Sequence, residues 1–182
     1  METPLRVLLV DDSEDDAELV LRELRRGGVQ AIYTRVDTPE AMKEALQKRE
    51  WDVVISDYLM PRFDALAAFN VLKMTELDIP FIVVSGSTGE DTAVAAMKAG
   101  VNDYIMKNNL LRIYPVVERE CLAAQMRRDK KAAEKNLSTE TAQRINEMKL
   151  INEVAMGNEL KLIEREKEIN ALLKELGRPA KY

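Results

Sequence analysis

The chain contains no histidine. That excludes a Ser/His/Asp triad, a zinc ion held by imidazole and a phosphohistidine formed on this sequence. The single cysteine, Cys121, allows neither an intramolecular disulfide nor a multi-cysteine metal site, and it reads as a small buried hydrophobe. A basic surplus is also missing: 27 Lys and Arg against 32 Asp and Glu leave a net charge of −5, where nucleic acid binding calls for a basic footprint. Apolar runs such as Pro80 to Val84 fall far short of a membrane span. Met1 to Arg6 lacks the layout of a signal peptide. The expectation is a cytoplasmic protein, with no nucleic acid and no membrane as partner, whose chemistry runs on carboxylates, hydroxyls and lysine.

At 182 residues, 46% apolar and 32% charged, there is chain enough for one ordinary domain with a full core and something smaller beside it. The organising stretch is Asp52-Val53-Val54-Ile55-Ser56-Asp57-Tyr58-Leu59-Met60-Pro61. Val53 to Ser56 favour a strand and lack amphipathic alternation, which predicts a strand buried on both faces of a parallel sheet. Asp57 stands at its carboxyl end, where open α/β sheets gather their ligands. Leu5 to Val10 is a similar run that ends on the pair Asp11-Asp12. Ser13 can cap the following helix, with Ala17, Val20, Leu21 and Leu24 at helical spacing and Gly27-Gly28 as its stop. Val29 to Val36 reads as a second, more polar strand, and Thr38-Pro39 starts a helix with Ala41, Met42, Ala45 and Leu46 as its buried stripe.

Beyond the turn Met60-Pro61-Arg62-Phe63, a helix is predicted from about Asp64 to Thr75, and a fourth strand from Pro80 to Ser85. Gly86-Ser87-Thr88-Gly89 reads as a loop, Glu90 to Ala99 as a helix stopped by Gly100, and Val101 to Met106 as a fifth strand ending at Lys107. Strand and helix alternate five times, so the fold class is α/β: a doubly wound, five-stranded parallel sheet. From Pro115 onward nearly seventy residues read as helix. Val116, Val117, Cys121 and Ala124 can still pack on the sheet, whereas the basic run after Met126 offers too little apolar surface for a core. The expected division is therefore 1–125 for the domain and 126–182 for a long helical extension. Asn136 to Thr139 carries helix-start residues, and Gly157-Asn158 interrupts the apolar pattern. Leu162, Ile169 and Leu176 then recur at seven-residue intervals with Leu172 and Leu173 between them, a short coiled-coil signal. It suits a parallel homodimer, or a helix folded back on its own domain.

Residues at the carboxyl ends of the strands now form a set: Asp11, Asp12, Asp57, Ser85 and Lys107. With strand order 2-1-3-4-5, strands one and three are neighbours and three carboxylates crowd one crevice, which is costly unless a cation joins them. Mg²⁺ suits oxygen ligands of this kind together with a phosphate. Lys107 and the Ser85 hydroxyl suit phosphoryl oxygens, and Asp57 is placed as the nucleophile, giving a labile acyl phosphate. A phosphohydrolase with an Asp nucleophile would need a second aspartate two residues on, where Leu59 stands.

These residues resemble the receiver domain of two-component response regulators, over Leu5 to about Ala124. The match comprises the acidic pair after strand one, Asp57-Tyr58-Leu59-Met60-Pro61, Ser85-Gly86 and Asp103-Tyr104-Ile105-Met106-Lys107. The resemblance implies a flavodoxin-like fold and a response regulator that takes a phosphoryl group on Asp57 from a sensor histidine kinase or phosphotransfer protein. It implies Asp12 and Asp57 as direct Mg²⁺ ligands, Asp11 acting through water, and the Leu59 carbonyl completing the protein's share of the shell. Ser85 and Lys107 would bind the phosphoryl group, and Ser85 with Tyr104 would form the switch that alters the surface of helix four, strand five and helix five. The tail shows no helix-turn-helix composition and no catalytic motif, so output is expected through a downstream protein target, with catalysis limited to the protein's own phosphorylation and dephosphorylation. Two departures stand out. Asn108 follows Lys107 where the family usually has proline, and Asp64-Ala65 stands where Asp-Gly is common.

Overall fold

The computed structural model describes residues 4–61, 63–86 and 90–180. Arg62 of the expected turn and residues 87–89 of the expected loop lie outside them. Five strands, β1 (Leu5–Val10), β2 (Ala31–Val36), β3 (Val53–Asp57), β4 (Phe81–Ser85) and β5 (Asp103–Met106), form one parallel sheet in the order 2-1-3-4-5. The helices between them are α1 (Glu14–Arg26), α2 (Pro39–Lys48), α3 (Ala65–Lys73) and α4 (Glu90–Ala99). After β5 a 3₁₀ segment, Lys107–Arg112, leads into α5 (Ile113–Glu175).

Alternation along the strands divides the core into two layers. Val7, Leu9, Ile55, Val84 and Ile105 face Val20, Leu21 and Leu24 of α1 and Val116 and Val117 of α5. Leu8, Val10, Val54, Phe81 and Val83 face Met42 and Leu46 of α2, Phe69 and Leu72 of α3, and Ala96 of α4. Every residue of β3 and β4 is buried, as runs without alternation require in a sheet covered on both faces. On the edge strand β2 only Val36 is buried.

The helix starts follow their caps. Ser13 Oγ accepts from the Asp16 amide, Thr38 Oγ1 from the Ala41 amide and Asp64 Oδ1 from the Ala67 amide, each relieving an orphan donor of the first turn. β4 begins one residue later than predicted, at Phe81, and two strands begin two residues later, β2 at Ala31 rather than Val29 and β5 at Asp103 rather than Val101. Both valines belong to helix stops instead. The Val29 amide donates to the Leu24 carbonyl and the Gly28 amide to Arg25; Val101 and Gly100 repeat this with Ala96 and Met97. In each case glycine supplies the left-handed turn, φ +87° at Gly28 and +104° at Gly100, and the following valine is buried over the helix end.

By its internal packing the chain divides into Met1–Asp129 and Lys130–Tyr182. In the first unit, Arg127 forms a two-pronged ion pair with Asp78. In the second, no described residue is buried. Helix α5 is continuous through the helix-start residues Asn136 to Thr139 and through Gly157-Asn158, where only the apolar pattern is interrupted. Thr139 and Thr141 return their hydroxyls to the carbonyls of Lys135 and Leu137, four residues back, so they serve the helix rather than a cap. One glycine costs a helix about 1 kcal/mol, too little to end it. Its end follows Glu175, where the Arg178 amide closes on the Leu173 carbonyl. None of the described helices is long and apolar enough to cross a membrane.

Candidate phosphoryl-transfer site

The carboxyl ends of β1, β3, β4 and β5 bring the predicted residues to one edge of the sheet. Asp11 and Asp12 follow β1, Asp57 closes β3, Ser85 closes β4, and Lys107 follows β5. Asp11, Asp57 and Ser85 are buried, while Asp12 is exposed. One carboxylate oxygen from each of Asp11, Asp12 and Asp57 lies within 4.8 Å of the others.

Backbone bonds hold this edge in place. The Asp11 amide donates to the Val36 carbonyl, and the Arg35 guanidinium donates to the Asp11 carbonyl at 2.9 Å, so β2 fixes the β1–α1 turn. The Ser13 amide donates to Asp11 Oδ1 at 2.8 Å. On the other side of Asp57, the Tyr58 amide donates to the Val84 carbonyl and tethers the end of β3 to β4.

Lys107 supplies the positive charge. Its Nζ lies 2.7 Å from Asp57 Oδ1 and 2.7 Å from Asp16 Oδ2. Burial lowers the affinity of this amine for its proton, but the hydrogen bonds to Asp16 and Asp57 outweigh it, and the group stays more basic than a free lysine. Asp11 behaves in the opposite way. Burial pushes its carboxyl up to about 6, the nearby Asp57 charge adds to that, and the Ser13 amide and Lys107 only partly offset them.

Sequence reasoning did not single out Asp16. It lies in the acidic run Glu14-Asp15-Asp16 at the start of α1, three residues after the capping Ser13. That spacing turns it toward the crevice, but the run reads equally well as acids favoured by the helix dipole. Tyr104, in β5, is partly buried, with its ring 6.2 Å from that of Tyr58 at 66°. Its hydroxyl is buried and has no hydrogen-bond partner among the described residues. The Leu59 side chain is 63% exposed, consistent with any role resting on its backbone. The described peptide bonds are all trans, including the one that joins Lys107 to Asn108.

A family profile for the response regulator receiver domain matches residues 7–113, more than half of the chain. The chain belongs to the receiver domain family of response regulators. Transcriptional regulatory protein PrrA of Mycobacterium tuberculosis is 35% identical over 105 residues, which cover 58% of this chain and 44% of that protein. Nitrogen assimilation regulatory protein NtrX of Azorhizobium caulinodans is 31% identical over 125 residues, 68% of this chain and 27% of that protein. The receiver chain thus spans less than half the length of these curated relatives. Among solved structures, NtrX from Brucella abortus gives a TM-score of 0.63 at 25% identity, covering 72% of this chain and 30% of that one. The signal receiver domain of NarL from Mycobacterium tuberculosis gives 0.55 at 24% identity, over 67% of this chain and 97% of that one, a likeness of fold.

Receiver domains are generally Mg²⁺-dependent, and the donor set here suits that ion. Three carboxylates meet with one ammonium group beside them, and the Asp11 carboxyl is pushed up by burial and by the neighbouring acids. Hard oxygen donors, few in number and partly open to water, are what Mg²⁺ takes when it keeps part of its hydration.

Proposed function

We propose that this chain is the phospho-accepting switch of a two-component phosphorelay, cytoplasmic, with Asp57 as acceptor. The observation that carries the reading is Lys107 Nζ at 2.7 Å from Asp57, with Asp11 and Asp12 carboxylate oxygens within 4.8 Å of one on Asp57. A phosphohistidine on a sensor kinase or phosphotransfer protein is the donor, since this sequence holds no histidine. An Asp57 oxygen attacks phosphorus as the P–N bond breaks, and the departing imidazole takes up a proton. Asp11, Asp12, Asp57 and the Leu59 carbonyl would hold Mg²⁺, which when bound neutralises charge on the phosphoryl oxygens. Lys107 and the Ser85 hydroxyl donate to those oxygens. Tyr104 moves with Ser85, and its buried hydroxyl, without a hydrogen-bond partner among the described residues, favours that role, because such a group gains by finding an acceptor elsewhere.

The protein is a switch whose catalysis is confined to its own phosphorylation and dephosphorylation, and its output runs through protein contacts and the tail rather than nucleic acid or membrane. Met148, Ile151, Ala155, Asn158, Leu162, Arg165, Ile169 and Leu172 alternate in steps of three and four along α5, and Leu176, just past its end, continues the series. In a parallel homodimer they form the seam, with Asn158 and Arg165 as polar positions that fix register. Lys161 and Glu166, five residues apart on the flanks of that seam, pair across it.

Intact mass after incubation with Mg²⁺ and acetyl phosphate tests the acceptor. The expected result is a gain of one phosphoryl group, dependent on Mg²⁺ and lost in Asp57→Ala. No gain in the folded native chain, with a cognate kinase failing as well, overturns the reading.

A further inference from the structure

Lys107 reaches two acids, and only one of them reacts. Among the described residues its ammonium contacts are Asp57 and Asp16. Asp57 is a poor anchor for it, because phosphoryl transfer changes both the charge and the shape of that carboxylate. Asp16 is not covalently changed by the transfer.

We propose that Asp16 is a positioning residue: it holds the Lys107 ammonium over Asp57 so that the positive charge is in place when a phosphoryl group arrives and remains there afterward. This rests on Asp57 being the phospho-acceptor. Lysine carries its charge on a flexible four-carbon stem and, unlike arginine, does not arrive oriented. A preset charge contributes more to a charged transition state than one that must first be ordered. Asp16 is itself well placed to act as anchor. It lies in the first turn of α1, its amide donates to Ser13 Oγ at 3.2 Å, and the Ser13 amide donates to Asp11. One short run of backbone therefore links the anchor of Lys107 to an acid of the proposed Mg²⁺ site. The pair is also partly sheltered, with the Lys107 side chain 23% exposed and that of Asp16 35%.

Two substitutions separate this role from a merely structural one. Asp16→Ala removes the acceptor, whereas Asp16→Asn keeps an oxygen that Lys107 can reach. Both remove the same acidic charge from the start of α1, so loss of helix stability alone would affect them equally. In the full chain with Mg²⁺ and acetyl phosphate, Asp16→Ala is expected to slow phosphorylation about fivefold or more, the worth of one ordinary hydrogen bond. Asp16→Asn is expected to recover most of that loss. A second readout needs neither metal nor phosphodonor. Modification of Lys107 by limiting acetic anhydride, followed by peptide mass spectrometry, is expected to be several-fold faster in Asp16→Ala than in the native chain. Native-rate phosphorylation in Asp16→Ala, or equal slowing in both variants with Lys107 labelled at the native rate, overturns the proposal. A native chain that takes up no phosphoryl group overturns the reading beneath it instead.

Discussion

Residues 53–57 and the seam between Leu162 and Leu176 are both rich in aliphatic side chains, and the structure treats them in opposite ways. Val53 and Ile55 are 0% and 2% exposed, whereas Leu162 and Leu172 are each 59% exposed. The difference lies in what each unit supplies to cover them. A strand at the middle of the sheet has paired strands at its sides and helices on both faces, so an uninterrupted apolar run is satisfied within the unit. The second unit is one helix and its end, and a lone helix has no layer to set against its own stripe. Apolar content alone therefore decides little. Large exposed apolar surface on a protein is characteristic of an interaction site.

Charge placed on the stripe should have the largest effect. In light scattering the full chain is expected to have the mass of a dimer, and the double substitution Leu162→Asp with Ile169→Asp that of a monomer. Two carboxylates facing their counterparts in a dry seam cost more than the seam returns. A native chain that is already monomeric removes the coiled coil from the account and leaves the stripe to a different partner.

Truncations of aliphatic side chains probe the same contrast on a smaller scale. Trp51 is the single tryptophan and is 3% exposed within the receiver unit, so its fluorescence follows unfolding of that unit. Ile55→Ala is expected to cost about 2 to 5 kcal/mol in urea titration, through lost burial and the cavity left behind. Leu172→Ala, in the monomeric double variant, is expected to move the Trp51 transition by less than about 0.5 kcal/mol. A comparable loss in both would mean that the tail helix lends stability to the receiver unit.

Much of this was legible in the sequence because the signals are local and redundant. Ser13, Thr38-Pro39 and Asp64 marked three helix starts, and the apolar runs ending on Asp11, Asp57, Ser85 and Lys107 put the site at one edge of a parallel sheet. The misreadings have a common origin. Val29 and Val101 resemble strand residues by composition, but their amides close helix ends, which only the path of the backbone reveals. The segment Lys107–Arg112 forms 3₁₀ turns broken at Asn109, too short to show a period. Helix α5 begins at Ile113, two residues before the proline that the sequence suggested as its start, because proline is also tolerated within the first turn, where amides have no helical partner. Asp16 was hidden by its neighbours: of three consecutive acids, one reaches Lys107, and that choice is made 91 residues away.

An expected effect smaller than that of Ile55→Ala sits at the opposite end of the sheet from Asp57, where the first unit depends on charge rather than apolar cover. Arg6, in β1, donates from its amide, Nε and Nη2 to Asp52, just before β3, and from Nη1 to Glu50. Burial alone would push the Asp52 carboxyl up, but the hydrogen bonds from Arg6 outweigh it and leave the group below its ordinary value of 3.8. An acid with a depressed value in the folded chain contributes stability above its unfolded value, and that contribution is lost as pH falls through the folded one. Arg6→Ala is therefore expected to cost about 1 kcal/mol near neutral pH, since the guanidinium is partly open to water. The gap between the native chain and the variant should then narrow as the pH is taken below 4, because protonated Asp52 no longer distinguishes them. Urea titrations at pH 7 and pH 3 measure it. A gap that stays constant would assign the effect of Arg6 to packing of its stem along the sheet edge, and the two ends of the receiver unit would then differ less in kind than the contacts imply.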